Sequence, residues 1–146
     1  MKNEVSNKDQ AIKKVHEETI DERKVFITHH VLNVEDDRMP KLVHLEWFCG
    51  YVQTLPKDSY YPSIKDYAEN KGKTEPVFSF DSAPIDYAGY LPQRLWDENE
   101  DYFVGFSTDH YHMQNYKSED VLKLCRKVID EQNKINKQTL DLLTWS

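Results

Sequence analysis

Apolar and polar positions change period several times along this chain, and each change marks an element. Ala11, Ile12, Val15 and Ile20 recur at helical spacing with charges between them, which predicts a short helix over residues 8–22 after a polar, frayed stretch at 1–10. Val25-Phe26-Ile27-Thr28-His29-His30-Val31-Leu32 is dense in β-branched side chains and reads as a strand. An acid-rich turn from Val34 to Pro40 leads into a second strand over 42–55, closed by Pro56, so the pair forms a hairpin. One or two helical turns over 64–69 follow Pro62-Ser63 and stop at Gly72. Short strands at 77–80 and 85–90 flank Pro84, and a strong strand covers 102–108.

The last element is the clearest. Ser118 as N-cap, with Glu119 and Asp120 in the first turn, starts a helix, and Val121, Leu124, Cys125, Val128 and Ile135 keep one face apolar. Cys125 falls in that stripe and reads as a small core residue. The expected fold is α+β: a mostly antiparallel sheet with an N-terminal helix and a long C-terminal helix packed on it, in a single domain over 1–146.

Two blocks stand out, Trp47-Phe48-Cys49-Gly50-Tyr51-Val52 and Tyr102-Phe103-Val104-Gly105-Phe106-Ser107-Thr108-Asp109-His110. Each runs aromatic and β-branched residues into a glycine, as a buried strand does where another backbone approaches closely. Aromatic residues reach 12 % beside 31 % charged, so a folded core lies under a heavily solvated surface. The net charge of −7 sets the chain against phosphate backbones and suits a basic protein partner, including one that itself holds nucleic acid. Two cysteines far apart make no disulfide framework. With no signal-like stretch at the N-terminus and no membrane-length apolar window, the expectation is a cytoplasmic protein.

The chemistry is thin. No Gly-rich phosphate loop, dinucleotide fingerprint, His-Glu-x-x-His helix or Gly-x-Ser-x-Gly elbow occurs. Six histidines invite a metal instead, and His110-Tyr111-His112 has the best spacing, because residues two apart in an extended segment project to one side. Cys49 and His44 are the nearest donors in kind. Strict alternation puts those two on opposite faces, so both serve one ion only if a bulge or strand end intervenes. A Cys49–His110 nucleophile is the catalytic alternative, weakened because Cys49 lies mid-strand among aromatics. Of His29 and His30, one points inward with a hydrogen bond and the other outward. His16 falls on a polar helix face. The acidic stretches around Glu35, Asp36 and Asp37 and around Asp97, Glu98 and Glu100 are candidate contacts for an arginine-lined groove.

The two blocks carry a resemblance. Cys49-Gly50-Tyr51-Val52, then Ile85-Asp86-Tyr87-Ala88-Gly89, then Gly105 to His110 resemble a family of small proteins from phages and bacterial mobile elements. That family shows a Gly-Tyr-Val block, a His-Gly-Gly-[IL]-Thr-Tyr segment, a Gly-Phe-Asp-[TC]-Ala-His block and a closing helix. The likeness spans residues 44–132. Asp81-Ser82-Ala83-Pro84 stands where the family has a histidine, Ser107 replaces its aspartate, and Asp109 its small residue. Of the family histidines only His110 carries over, with Cys49 or His112 as substitutes. The chain also looks like the zinc-binding type II-A anti-CRISPR proteins, which implies a host-defence antagonist that inhibits a Cas9 nuclease by contact in the host cytoplasm, with a structural zinc. The other expectations are a small metal-dependent hydrolase using His110 and His112, and an accessory domain without catalysis.

Overall fold

The computed structural model describes residues 8–35, 42–70, 80–91, 101–109 and 115–145. Strands β1 (Lys8–Ile20), β2 (Arg23–Glu35) and β3 (Leu42–Thr54) come first, then helix α1 (Tyr61–Glu69), strands β4 (Tyr87–Tyr90) and β5 (Tyr102–Ser107), and helix α2 (Ser118–Trp145). The strands form one antiparallel sheet in the order β1-β2-β3-β5-β4. The class is α+β.

The expected N-terminal helix is instead strand β1, and residues 8–10, expected to fray, already pair with β2. The reason is a bulge. Lys14 pairs with Thr28 and His16 with Ile27, so Val15 is an extra residue that breaks the two-residue alternation. Apolar groups on either side of it then fall at spacings that imitate a helix. The turn that closes the hairpin is also disguised. Asp21 and Glu22 both take positive φ, 50° and 69°, the geometry of a two-residue I′ turn, without the usual Asn-Gly signal.

The β2–β3 hairpin is as expected, although β2 runs on to Glu35. Helix α1 starts at Tyr61, and Asn70 is its C-cap; the Asn70 side chain donates to the Asp66 carbonyl at 2.8 Å. Phe80 lies outside any strand, while 77–79 fall outside the described residues. The cap of α2 is Lys117 rather than Ser118. Its carbonyl accepts the first helical bond, from Val121, and its N–H donates to Asp120 Oδ2 at 2.9 Å, half of a capping box.

Helix α2 covers one face of the sheet. Val25, Ile27, Val52, Val104 and Phe106 meet Val121, Cys125, Val128 and Ile129 there. Gly50 permits the approach: a Cβ on it would stand 2.8 Å from Phe106 Cζ and 2.9 Å from both Cys125 Sγ and Val121 Cγ1. Beyond Ile135, Leu140, Leu142 and Leu143 are exposed. On the opposite face Phe26, Cys49, Tyr51, Leu91 and Phe103 make a second apolar cluster, with Trp47 and Tyr87 at its margin. No described helix is long and apolar enough to cross a membrane.

Candidate functional site

The face turned away from α2 carries a polar row inside its aromatic cluster. Register builds it: Thr28 pairs with Cys49 across β2–β3, and Cys49 with Ser107 across β3–β5, so three small polar side chains line up over three strands. Thr28 is fully buried and Cys49 nearly so. Thr28 Oγ1 and His30 Nε2 share a hydrogen bond of 2.7 Å, and the His30 ring stacks on Trp47 with centroids 5.3 Å apart. His30 is therefore the inward histidine of its pair. His29, on the other face, is half-buried and bonds Glu46.

Electrostatics keep this row neutral. Burial pushes the Cys49 thiol up; Ser107 pulls it down, the Asp86 carboxylate raises it again, Tyr51 and Thr28 lower it, and the net is upward. Burial, then Cys49 and Tyr87, raise the Tyr51 phenol. Tyr87 meets the Tyr51 ring edge-on at 5.8 Å, and burial raises its phenol too. Cys125, sealed between α2 and the sheet, is pushed up to about 12 by burial and then by Glu18. Neither thiol has the electropositive, partly exposed setting that makes a cysteine nucleophilic. The row is suited to holding β2, β3 and β5 in register, or to offering Cys49 and His30 as soft and borderline donors.

Cys49 is the one proposed metal ligand whose side chain lies among the described residues. His44 sits in β3 with Asn33 opposite. The β2–β3 register runs from Val25↔Val52 to Glu35↔Leu42 without a shift, so no bulge separates His44 from Cys49. Their positions lie roughly 16 Å apart along the unbroken strand. One ion cannot take both. His110 and His112 lie outside the described residues, as do Asp36, Asp37, Asp97, Glu98 and Glu100; Glu35 ends β2, and its side chain is outside them too. His16, placed on β1 rather than on a helix, bonds Glu18 at 2.7 Å. Among the described residues no group of three or more His, Cys, Asp or Glu is disposed to hold a metal.

Sequence reasoning missed a second polar centre, at the other end of the sheet. Arg23 and Asp58, 1 % and 2 % exposed, form a two-pronged ion pair. Arg23 also donates to the Gln53 carbonyl at 3.1 Å and to Asn133 Oδ1 at 3.3 Å. Asp58 accepts from the Leu55 N–H at 2.7 Å and from Asn136 Nδ2 at 2.8 Å. The hub ties the β1–β2 turn, the loop after β3 and the middle of α2 together. Burial alone would raise the Asp58 carboxyl; Arg23, Asn136 and the Leu55 N–H outweigh it and hold the group below its ordinary range. Nothing in the sequence around Arg23 or Asp58 signals that either is buried. Nearby, Glu131 accepts from the N–H groups of Asp81 and Ser82 at 2.7 and 2.8 Å and pins that loop to α2.

Compared with protein-family models, with curated proteins and with solved structures, the chain matches none.

Proposed function

We propose that this chain acts by protein–protein contact, as a phage-type host-defence antagonist whose partner is a basic nucleic-acid-handling protein, a CRISPR-Cas9 nuclease. The observation that carries a binding reading is the fate of Cys49. The one candidate nucleophile of the matched blocks is a buried, neutral thiol hydrogen-bonded within a sheet-spanning row, a setting that favours architecture over reaction. The −7 charge supports a basic partner, and the likeness of the Cys49-Gly50-Tyr51-Val52 and Gly105-to-His110 blocks to phage proteins nominates Cas9. Cas9 holds its guide–target heteroduplex in a positive channel, and carboxylates around Glu35 to Asp37 and Asp97 to Glu100 would face such a surface. Zinc has a structural part in this reading, with Cys49, His110 and His112 as its ligands.

The test mixes the purified chain with Cas9 and guide RNA and measures complex formation and target cleavage. A stable complex with diminished cleavage is the expected result. Undiminished cleavage across several orthologues, or tight binding to free duplex DNA, would overturn the reading. Metal-dependent hydrolysis abolished by His110→Ala would replace it with the hydrolase.

A further inference from the structure

We infer that the outer edge of β1 is a self-complementary docking strand, and that its occupant is a second copy of this chain paired antiparallel about a twofold axis between Val15 and His16. Among the described strands β1 is an edge, laddered to β2 alone, and it is 13 residues long. Such an edge offers backbone N–H and C=O groups for sheet extension. Its charges are arranged symmetrically: Lys13-Lys14-Val15-His16-Glu17-Glu18. Turned end for end about its centre, this segment sets Lys14 against Glu17 and Lys13 against Glu18, and symmetry repeats each pair.

The bulge decides whether the pairing is possible. In a regular strand residues 14 and 17 point to opposite faces, and a twofold axis through the sheet could not bring them together. Here Lys14 pairs with Thr28 and Glu17 with Phe26, two residues apart on β2, so both lie on the face away from α2. Lys14 Nζ sits 5.6 Å from the centre of the Phe26 ring, in agreement with that placement. Lys13 pairs with His29 and Glu18 with Val25, four apart on β2, so both lie on the α2 face. The extra residue Val15, 42 % exposed, restores the parity that an even-length charge palindrome needs.

Lysines and a bulge often guard an edge against association. On β1, however, each lysine is matched by a glutamate at the symmetric position and on the same face. In the single chain Lys14 bonds its own Glu17, and Glu18 bonds His16 and lies 3.8 Å from Arg126. Pairing would exchange the Lys14–Glu17 contact within one chain for the same contact between chains, and Lys13 would join His16 and Arg126 around Glu18.

The experiment is sedimentation of the full chain from micromolar to millimolar concentration, alone and as two charge reversals, Lys13→Glu with Lys14→Glu and Glu17→Lys with Glu18→Lys. The native chain is expected to dimerise, and each reversal to raise the dissociation constant about tenfold or more, since like charges then face each other across the ladder. Mixing the two reversed chains restores every opposite-charge pair and should recover dimer as a heterodimer. Circular dichroism confirms that each variant is folded; if a double reversal unfolds, the single changes Lys14→Glu and Glu17→Lys make the same test. A native chain that stays monomeric throughout would overturn the inference, as would a dimer indifferent to both reversals or reversed chains that do not recover on mixing.

Discussion

Tyr51 lays its ring over Gly105, its partner across the β3–β5 ladder, so closely that a Cβ on Gly105 would lie 2.8 Å from Tyr51 Cδ1. The two aromatic, glycine-containing blocks of the sequence meet at this contact. The backbone approach expected at each glycine is found at Gly105, where a Cβ would meet the Gly50 carbonyl oxygen at 3.1 Å beside the Tyr51 ring; at Gly50 the nearest atoms belong to side chains, those of α2 and Phe106. Gly105→Ala is therefore expected to overpack a buried site and lower stability by about 1–3 kcal/mol. Urea denaturation of the single variant and of Gly105→Ala with Tyr51→Ala tests the cause. If the contact is responsible, the loss on changing Gly105 shrinks once the ring is gone.

The Arg23–Asp58 hub predicts a large effect of removing one partner. Arg23→Met leaves the Asp58 carboxylate buried without its counter-charge and should cost about 3–5 kcal/mol. Replacing both with apolar residues should cost less than the sum of the single changes, because no lone charge remains inside. Denaturant midpoints of the three variants check this.

The hub and Glu131 also set a pH dependence. Asp58 and Glu131 both have lowered folded-state values, against ordinary values of 3.8 and 4.5. At Glu131, burial raises the group, while Ser82, the N–H groups of Asp81 and Ser82, and Lys134 lower it further than burial lifts it. The unfolded chain takes up these protons first as pH falls. Their stabilisation is thus fully present above the ordinary values and is lost as pH drops through the lower folded ones. Stability followed by denaturant titration between neutral and acid pH should fall through that window. Glu131→Gln should flatten part of the fall.

Both thiols should resist reagents in the native state. Cys125, pushed up to about 12, should be silent toward a disulfide reagent until the chain unfolds, and Cys49 should react slowly. Reaction time courses with and without denaturant, on Cys49→Ser and Cys125→Ser, assign each rate. Fast labelling of native Cys49 would contradict its place in the buried row.

Much of this architecture was legible because its signals are local. The stripe from Val121 to Val128 and the β-branched run from Val25 to Val31 each declare one element by their own period, α2 and β2. β1 is hidden in the sequence because Val15 shifts the period and because Asp21 and Glu22 make a hairpin turn without glycine. The site was less legible. Thr28, Cys49 and Ser107 belong to three strands, and only the register brings them together. Arg23 and Asp58 are 35 positions apart, and nothing in either neighbourhood announces that they are sealed against each other.

Zinc separates the candidate ligands. The purified chain, prepared without chelators, is expected to carry zinc that is lost in Cys49→Ala and His110→Ala and kept in His44→Ala, because His44 lies roughly 16 Å from Cys49 along β3. Removing the metal should lower the melting temperature. Elemental analysis and thermal denaturation read both effects, and zinc-free protein would contradict the ligand set.

The most direct measurement of the central claim is a calorimetric titration of the chain into Cas9 bound to guide RNA, at low and at high salt, with the native sequence and with Asp97, Glu98 and Glu100 reversed to lysine. The account predicts binding that weakens as salt rises, and a reversed chain that stays folded but binds more weakly with a shallower salt dependence. No binding by the native chain at either salt concentration, or equal binding by the reversed chain, would contradict it.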